Sequence, residues 1–397
     1  MADLTELALR NQVLAARQHA RTRRQQLRGT LLTALARLPL PPIRGDGRTI
    51  LLIRPDHLGD VLLTTPAIRA LAAALPEARL VALVGLWSAG VISAYPEIDL
   101  TLTLPFPGFA RHPARASAQP YLLAWRWANH LRRLQVDSAI VFRPDHWWGA
   151  MLAFLARIPR RIGFALPDVA PFLTDAVPFR ASHAVERGLA LIRALGVSVD
   201  HPSILTFPIQ DEDREFVHRQ LAEAGLPPTA PRVIIHPGTG TRIKQWPSAH
   251  WALVADHLAR RWGAPILFTG SDHEISLVRS ITDQMAAPAI VLAGETTVGQ
   301  LAALYEGARV VLGPDSGPLH LATAVGAPTV HLYGPADPAE FGPWGDPVRH
   351  IVLTTAIACR PCRILDWPGA DPADHPCVRD IAPEAVLEAA IRATGES

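Results

Sequence analysis

Residues 49–71 read TILLIRPDHLGDVLLTTPAIRAL and show a pattern that runs through most of the chain. The first six residues, TILLIR, are a short apolar run of the kind found in strands buried in parallel sheets. A turn that contains Gly59 follows, and PAIRALAAAL at 66–75 then predicts a helix. The stretch therefore predicts one strand, turn and helix in succession.

Similar units follow on both sides of a Pro-rich passage near residues 205–230. Further strands are predicted at 79–85, 138–142, 232–238, 265–270, 289–294, 309–314 and 328–335. Helical patterns fill most of the intervening segments, and such alternation indicates parallel sheets with right-handed crossovers. The predicted fold class is α/β, with two Rossmann-like domains facing a central cleft.

The first 47 residues differ from the rest of the chain. Residues 3–38 alternate Leu with Arg and Gln and contain no Pro, which predicts one basic amphipathic helix. The segment LPLPPIRGDG at 38–47 then ends the helix and serves as a linker. The predicted divisions are this extension and linker, 1–47, an N-terminal Rossmann-like domain, 48–207, and a C-terminal one, 208–397.

Charge is unevenly distributed along the chain. The formal net charge of the 397 residues is +2, which indicates no nucleic-acid partner. Residues 1–48, however, carry nine Arg against three acidic residues. A basic amphipathic helix can lie on an anionic membrane surface, but it can equally pack on the protein body or mediate oligomerisation.

The three cysteines lie near the C-terminal end of the sequence and do not form a disulfide framework, so we expect a cytoplasmic protein. We expect no secretory signal and no transmembrane helix, because long uninterrupted apolar runs are missing. The set Cys359, Cys362, His375 and Cys377 has zinc-like residue types, but the spacing is not that of a standard zinc finger. We therefore expect no metal there, and thiols that pack a loop.

In open α/β sheets, ligands bind beyond the carboxyl ends of the strands, so the turns that follow predicted strands are candidate sites. In the first of these turns, Asp60 is either a carboxylate that caps the following helix or a base that accepts a proton from an attacking hydroxyl. The sequence of this turn alone does not choose between these roles.

A second candidate turn reads HPGTGTRIKQWP at 236–247. Its backbone amides and the hydroxyls of Thr239 and Thr241 can surround phosphate oxygens, with Gly240 between them and Lys244 adding a positive charge. The alternative is a solvated basic loop before a helix. The spacing is not that of a Walker A loop.

Two further turns carry polar residues. In GPDSGPLHLATAVG, 313–326, a helix begins near Asp315, Ser316 and Gly317 and contains His320. Helix starts of this kind favour anions, although Asp315 or Ser316 can also be an ordinary N-cap. In TGSDHE, 269–274, Glu274 can hold ribose hydroxyls or can simply be a helix-start acid.

Taken together and in this order, these turns resemble glycosyltransferase family 9, the ADP-heptose:lipopolysaccharide heptosyltransferases. The matching segments are ILLIRPDHLGDVLLTTPAIRALAAALPEARL, ARIPRRIGF, VIIHPGTGTRIKQWPSAHWALVADHL, ILFTGSDHE, VVLGPDSGPLHLATAVGAPTVHLYGPADP and CVRDIAPEAV, over most of residues 50–390. The resemblance implies a GT-B fold, with the acceptor on the N-terminal domain and the nucleotide sugar on the C-terminal one. It also implies an inverting, metal-independent transfer, with heptose from ADP-heptose as the default donor sugar.

The resemblance assigns roles to residues. Asp60 matches the general base, Lys244 the diphosphate-binding lysine and Glu274 the acid that holds the donor ribose. Asp315 matches the acid near the donor sugar and phosphates, and residues 316–320 match the phosphate-binding helix start. Candidates on the acceptor side are Arg54, His57, Gly59 and Arg143.

The implied acceptor is lipopolysaccharide core or a related surface glycan, which suggests a peripheral enzyme on the cytoplasmic face of the inner membrane. Two segments depart from the family pattern: residues 1–48, and the Pro- and Arg-containing loop 105–120, which leaves the acceptor open. A nucleotide-sugar epimerase-type enzyme and a non-catalytic nucleotide-sugar-binding protein remain as alternatives on the same fold.

Overall fold

The computed structural model describes residues 4–20, 22–109, 118–199, 204–227, 229–365 and 375–396. The chain divides into two compact units. The N-terminal unit is Arg21–Ser203, and the C-terminal unit is Ile204–Ser397 together with Met1–Ala20. The predicted divisions at 47 and 207 stay a prediction. The loop 105–120 falls partly outside the described residues.

The N-terminal unit contains one parallel sheet. Its strands are β1 (Thr49–Arg54), β2 (Arg79–Val84), β3 (Leu100–Thr103), β4 (Ser138–Val141), β5 (Arg160–Phe164) and β6 (Asp175–Val177). They lie in the order β3-β2-β1-β4-β5-β6. All six residues of β1 are buried, because this central strand is paired on both sides and covered on both faces.

Apart from α2, which precedes β1, the helices of this unit follow strands as in other α/β folds. They are α2 (Arg23–Ala36), α3 (Leu58–Leu62), α4 (Thr65–Ala74), α5 (Ala89–Ile92), α6 (Gln119–Arg133), α7 (Trp147–Leu155) and α8 (Ala184–Arg193). Helix α7 is almost wholly apolar and contributes Trp148 and Met151 to the core beside Leu51 and Ile53 of β1. Gly59 lies inside α3 rather than in the tight turn that the sequence suggested.

The C-terminal unit contains a second parallel sheet. Its strands are β7 (Arg232–Ile235), β8 (Ile266–Phe268), β9 (Ala289–Val291), β10 (Ala308–Pro314), β11 (Thr329–Leu332) and β12 (His350–Leu353). Their order is β12-β11-β10-β7-β8-β9. Read from the other edge, this is the order of the first sheet, with β7 and β10 in the places of β1 and β4. In each sheet the first three strands extend to one side and the last three to the other, so the strand order reverses at the neighbouring pairs β1–β4 and β7–β10. Such a reversal is the point at which sheets of this kind bind ligands.

Nine helices of the described residues belong to the C-terminal unit: α1 (Leu4–His19), α9 (Asp211–Glu223), α10 (Ser248–Trp262), α11 (Ile275–Thr282), α12 (Val298–Glu306), α13 (Gly317–Ala324), α14 (Pro338–Phe341), α15 (Pro376–Arg379) and α16 (Pro383–Ala393). Local signals set several of their ends. Thr297 and Gln300 form a capping box at the start of α12, and Gly263 ends α10 with a φ of 60°.

The single helix predicted over residues 3–38 is replaced by two, α1 and α2, which belong to different units. The break has a local cause. Thr22 and Gln25 form a capping box at the start of α2, which ends one helical path and begins another. No described helix is both long and apolar enough to cross a membrane.

The two six-stranded parallel sheets and their helices confirm the predicted α/β class with two Rossmann-like domains. In each sheet, the loops after the first and fourth strands are brought together. These are the loops that contain Asp56 and Arg143 in the N-terminal unit, and Lys244 and Asp315 in the C-terminal unit.

Candidate active site

A buried ionic cluster occupies the ligand-binding point of the N-terminal sheet. Asp56, two residues beyond β1, has a side chain that is only 2% exposed. Its Oδ2 lies 3.0 Å from Nε of Arg54, and its Oδ1 accepts a hydrogen bond from Nη1 of Arg143, which follows β4. The cluster therefore joins the ends of β1 and β4, and it includes two of the acceptor-side candidates.

Asp60 extends this cluster towards solvent. Asp60 lies on the first turn of α3, and its Oδ1 is 3.3 Å from Nη2 of Arg54. The side chain of Asp60 is 36% exposed, whereas that of Asp56 is almost fully enclosed. Arg54 thus holds both carboxylates, but only Asp60 is accessible to a substrate hydroxyl.

Burial and charge set the protonation states in this cluster. Burial alone would raise the pKa of Asp56, but the guanidinium groups of Arg54 and Arg143 outweigh it and hold the pKa below its ordinary value. His146, at the start of α7, is buried among Phe106, Phe109 and Trp148, and burial lowers its pKa to about 3. At neutral pH the cluster therefore combines an ionised Asp56 and guanidinium groups with the neutral imidazole of His146.

The backbone of the loop after β1 is held from a neighbouring segment. The indole Nε1 of Trp87 donates to the carbonyl of Asp56 at 3.0 Å, and Oγ of Ser88 donates to the same carbonyl at 2.7 Å. The imidazole of His57 lies against Trp87, with ring centroids 5.4 Å apart. These contacts fix the direction in which His57 and the following helix leave the sheet.

A second ion pair occupies the corresponding point of the C-terminal sheet. Nζ of Lys244 lies 2.6 Å from Oδ2 of Asp315, and the two side chains are 14% and 8% exposed. Lys244 comes from the loop after β7, and Asp315 directly follows β10. The predicted phosphate-binding lysine and the acid of the helix start are therefore in contact.

The start of α13 lies beside this ion pair. Ser316 is the N-cap residue and Gly317 the first helical residue. Pro318 has no N–H, so the amides of Gly317 and Leu319 are the ones that this helix start presents to an anion. Among the described residues, the buried Oγ of Ser316 and Oγ1 of Thr241 have no hydrogen-bond partner. Two hydroxyls and a helix start next to a lysine form a suitable environment for phosphate oxygens.

The other predicted residues of this region lie in different environments. His320 is buried within α13, its ring 6.1 Å from that of His331 on β11. Thr239 is partly exposed, and Gly240 has open space where a Cβ would lie. The structure therefore brings Thr241, Lys244 and residues 315–317 together but keeps His320 below the surface.

Glu274 has the helix-start position that one of the two interpretations predicts. Its Oε2 accepts hydrogen bonds from N and Oγ of Ser271, at 2.7 and 2.8 Å, in a capping box. The same carboxylate lies against Gly238, where an added Cβ would be 2.0 Å from Oε1. Glu274 is thus a helix-start acid that also borders the loop of Lys244.

A buried polar chain, missed by the sequence analysis, lies behind Glu274. Nδ1 of His236 is 3.0 Å from Oγ1 of Thr269, which is 3.2 Å from the hydroxyl of Tyr305. Burial lowers the pKa of His236 and raises that of Tyr305, so both are neutral at physiological pH. The position of His236 at a strand end was the available signal, but its partners come from distant segments.

The packing of Gly238 leads to a prediction with a matched control. In Gly238→Ala the new methyl group must displace the carboxylate of Glu274, which breaks its capping bonds with Ser271. We expect a loss of about 1 kcal/mol in the free energy of unfolding, the usual effect of a lost cap. Gly240→Ala, in the same loop but with open space around it, should change stability by less than about 0.5 kcal/mol. Equal denaturation midpoints for the two variants would contradict this contact.

The C-terminal cysteines are free thiols. Cys359 and Cys377 are buried, Cys362 is partly buried, and burial raises the pKa of Cys377 to about 12. Among the described residues, which include these three and His375, no group of three or more His, Cys, Asp or Glu is arranged to hold a metal ion.

Comparison with known proteins identifies the family. The model of glycosyltransferase family 9 (heptosyltransferase) matches residues 124–365, more than half of the chain. The chain belongs to this family and is a glycosyltransferase, as the sequence motifs predicted. The epimerase-type and non-catalytic alternatives are thereby set aside.

Named relatives agree with this assignment. The chain is 28% identical over 356 residues to lipopolysaccharide heptosyltransferase 2 of Escherichia coli K12, covering 85% of this chain and 96% of that protein. A glycosyl transferase family 9 structure from Veillonella parvula matches with a TM-score of 0.72 and 25% identity, covering 90% and 99% of the two chains. The structure of E. coli ADP-heptose lipopolysaccharide heptosyltransferase II gives a TM-score of 0.67 at 24% identity, covering 87% and 98%.

Proposed function

We propose that the chain transfers heptose from ADP-heptose to a lipopolysaccharide core or a related surface glycan, with inversion and without a metal ion. The family description and the names of the E. coli relatives support the sugar, the donor and the acceptor class. The observation that carries the proposal is the contact of Lys244 with Asp315 beside the start of α13, at the ligand-binding point of the second sheet.

In this proposal, the C-terminal unit binds the donor. The ammonium of Lys244, the first amides of α13 and the hydroxyls of Thr241 and Ser316 bind the diphosphate. Glu274, on the other side of the loop that contains Lys244, accepts hydrogen bonds from the ribose hydroxyls. As the sugar leaves, negative charge builds on the departing ADP, and fixed donors of this kind stabilise it without reorganisation.

The N-terminal unit supplies the base and holds the acceptor. A sugar hydroxyl is a weak nucleophile, and the accessible carboxylate of Asp60 accepts its proton as the new bond forms. Arg54 orients Asp60. Arg143 and His57 lie just beyond the ends of β4 and β1 and contact the acceptor there. Transfer requires donor and acceptor to react directly, so both sites must act on one pair of substrates.

We further propose that the enzyme works at the cytoplasmic face of the inner membrane, because its proposed acceptor is linked to lipid. The Arg-rich residues 1–47 support contact with an anionic surface. Exposed leucines on α1 and α2, among them Leu9 and Leu27, add apolar area to the same segment.

The test is transfer by the full-length protein from ADP-heptose to a heptose-free core acceptor. We expect a product heavier by one heptose and an inverted anomeric configuration by NMR. The rate should be unchanged by EDTA, because Lys244 and α13 provide the charge stabilisation. Failure with ADP-heptose but transfer from another nucleotide sugar would reject the donor, and inhibition by EDTA would reject the metal-free mechanism.

A further inference from the structure

Helix α6 of the N-terminal unit is apolar on two faces. Its inner face, with Ala124, Ala128 and Leu131, is buried in the core. Its first turns also carry large apolar side chains that face solvent: Tyr121, Leu122 and Trp125 are 46%, 49% and 59% exposed. An isolated exposed apolar side chain is ordinary, but three on adjacent turns of one helix form a patch.

A second exposed apolar stripe belongs to α2. Leu27 and Leu31, one turn apart, are 67% and 71% exposed. The two helices meet at Trp147: the guanidinium of Arg28 lies over its ring at 4.9 Å, and the ring of Tyr121 is 6.4 Å away. We call the surface formed by Leu27, Leu31, Tyr121, Leu122 and Trp125 the α2–α6 face.

The segments that carry this face contain no acidic residue. Helix α2 has three Arg and α6 has three, while neither has Asp or Glu. Exposed Arg126 directly follows Trp125, and exposed Arg133 lies two turns further along α6. Asp168 pairs with Arg28 at 3.0 Å, and the remaining arginines of the two helices still give this face a net positive charge.

The α2–α6 face is connected to the acceptor-side cluster. Nε1 of Trp148 donates to the carbonyl of Pro120, at the start of α6, at 3.0 Å. The ring of Trp148 lies beside His146, and the guanidinium of Arg143 stacks on Phe109 at 5.0 Å. A surface that engaged α6 would therefore lie next to the residues proposed to hold the acceptor.

We propose that the α2–α6 face docks on an anionic lipid bilayer. The inference rests on the proposed function, in which the acceptor is linked to lipid. Trp and Tyr side chains suit the headgroup boundary because they have an apolar body and a polar tip, and leucines enter the acyl region beside them. Arginines beside them bind lipid phosphates, and neither helix carries a carboxylate that the anionic surface would repel.

Vesicle flotation of the full-length protein tests the surface without any substrate. Phosphatidylglycerol–phosphatidylethanolamine vesicles should float the wild type, and phosphatidylcholine vesicles should not. Leu122→Ser with Trp125→Ser should reduce partitioning about tenfold, because two apolar side chains are lost from the interface. Arg126→Ala should reduce it roughly fivefold. Leu253→Ser, at a 44% exposed leucine of α10 in the other unit, is the matched control and should bind as the wild type does.

A transfer assay separates failure of this surface from failure of the proposed function. Leu122→Ser/Trp125→Ser should lose transfer to acceptor in vesicles but keep transfer to acceptor dispersed in detergent. If the wild type transfers heptose to neither acceptor, the proposed function fails while flotation still reports on the surface. Unchanged flotation of the double variant would overturn the docking proposal. The proposal would also be overturned if sedimentation showed that the wild type is a dimer and that the double variant loses the dimer but still binds lipid. The face would then be a contact between two copies of the chain.

Discussion

Asp60→Ala should bind ADP with nearly wild-type affinity and lose transfer activity by about a hundredfold to ten-thousandfold, the usual contribution of a general base. The carboxylate of Asp60 is exposed at an edge of the ionic cluster, and in the proposed mechanism it only accepts the acceptor's proton. The substitution should leave the fold intact, because Arg54 keeps its contact with Asp56 at 3.0 Å. Single-turnover transfer and calorimetric ADP binding measure the two effects separately.

Asp145→Ala is the matched control for this experiment. Asp145 lies at the edge of the cluster: its carboxylate is paired with Nε of Arg143 at 2.6 Å, and its side chain is 64% exposed. Because the proposed mechanism gives Asp145 no proton to accept, its loss should reduce turnover only a fewfold. Near-normal turnover of Asp60→Ala, or an equal loss in both variants, would remove Asp60 from the role of base.

Lys244→Ala should weaken ADP binding by about tenfold to a hundredfold, since hydrogen bonds to charged groups contribute about 1.5–3 kcal/mol. The substitution also leaves the carboxylate of Asp315, only 8% exposed, without its cation. We therefore expect a lower melting temperature as well, because removing one partner of a buried pair is strongly destabilising. ADP affinity should be measured by calorimetry well below the melting temperature of the variant.

Arg242→Ala controls for a general loss of positive charge. Arg242 lies two residues before Lys244 in the same short helical turn, but its side chain is exposed. Its removal should change ADP affinity less than about threefold, the size of a surface charge effect. If both variants bound ADP equally well, the phosphate role of Lys244 would be wrong.

The central strands of both sheets could be predicted from sequence, whereas several outer strands could not. Strands such as β1 and β10 are continuous apolar runs because they are covered on both faces. The missed strands β3, β5, β6 and β12 are short and partly exposed, and β5 begins with two arginines. Their pairing depends on the neighbouring strand rather than on a pattern of their own.

The residues of the candidate site likewise include some that the sequence could predict and some that it could not. Asp60, Lys244 and Asp315 were predicted because their turns, taken in order, resemble those of glycosyltransferase family 9. Asp56 and His146 were missed, since a buried charge after a strand and a histidine before a helix have no distinctive spacing. Their importance arises from contacts with Arg54 and Arg143, which the chain brings together only on folding.

The N-terminal segment shows how a local signal can override a regional pattern. Leu, Arg and Gln recur over residues 3–38 as in one amphipathic helix, but Thr22 and Gln25 supply a complete capping box in its middle. The two resulting helices then pack in different units: Leu32 of α2 joins the N-terminal core, and Gln12 of α1 donates to the carbonyl of Ala358 at 2.9 Å.

The central claim is that one unit provides the base and the other binds the donor for a single reaction. ADP binding to Asp60→Ala and Lys244→Ala, measured side by side with the full-length protein, tests it most directly. We predict that Asp60→Ala binds ADP within about twofold of the wild type, and that Lys244→Ala binds it at least about tenfold more weakly. Equal affinity in the two variants, or weaker binding by Asp60→Ala, would contradict this division of roles.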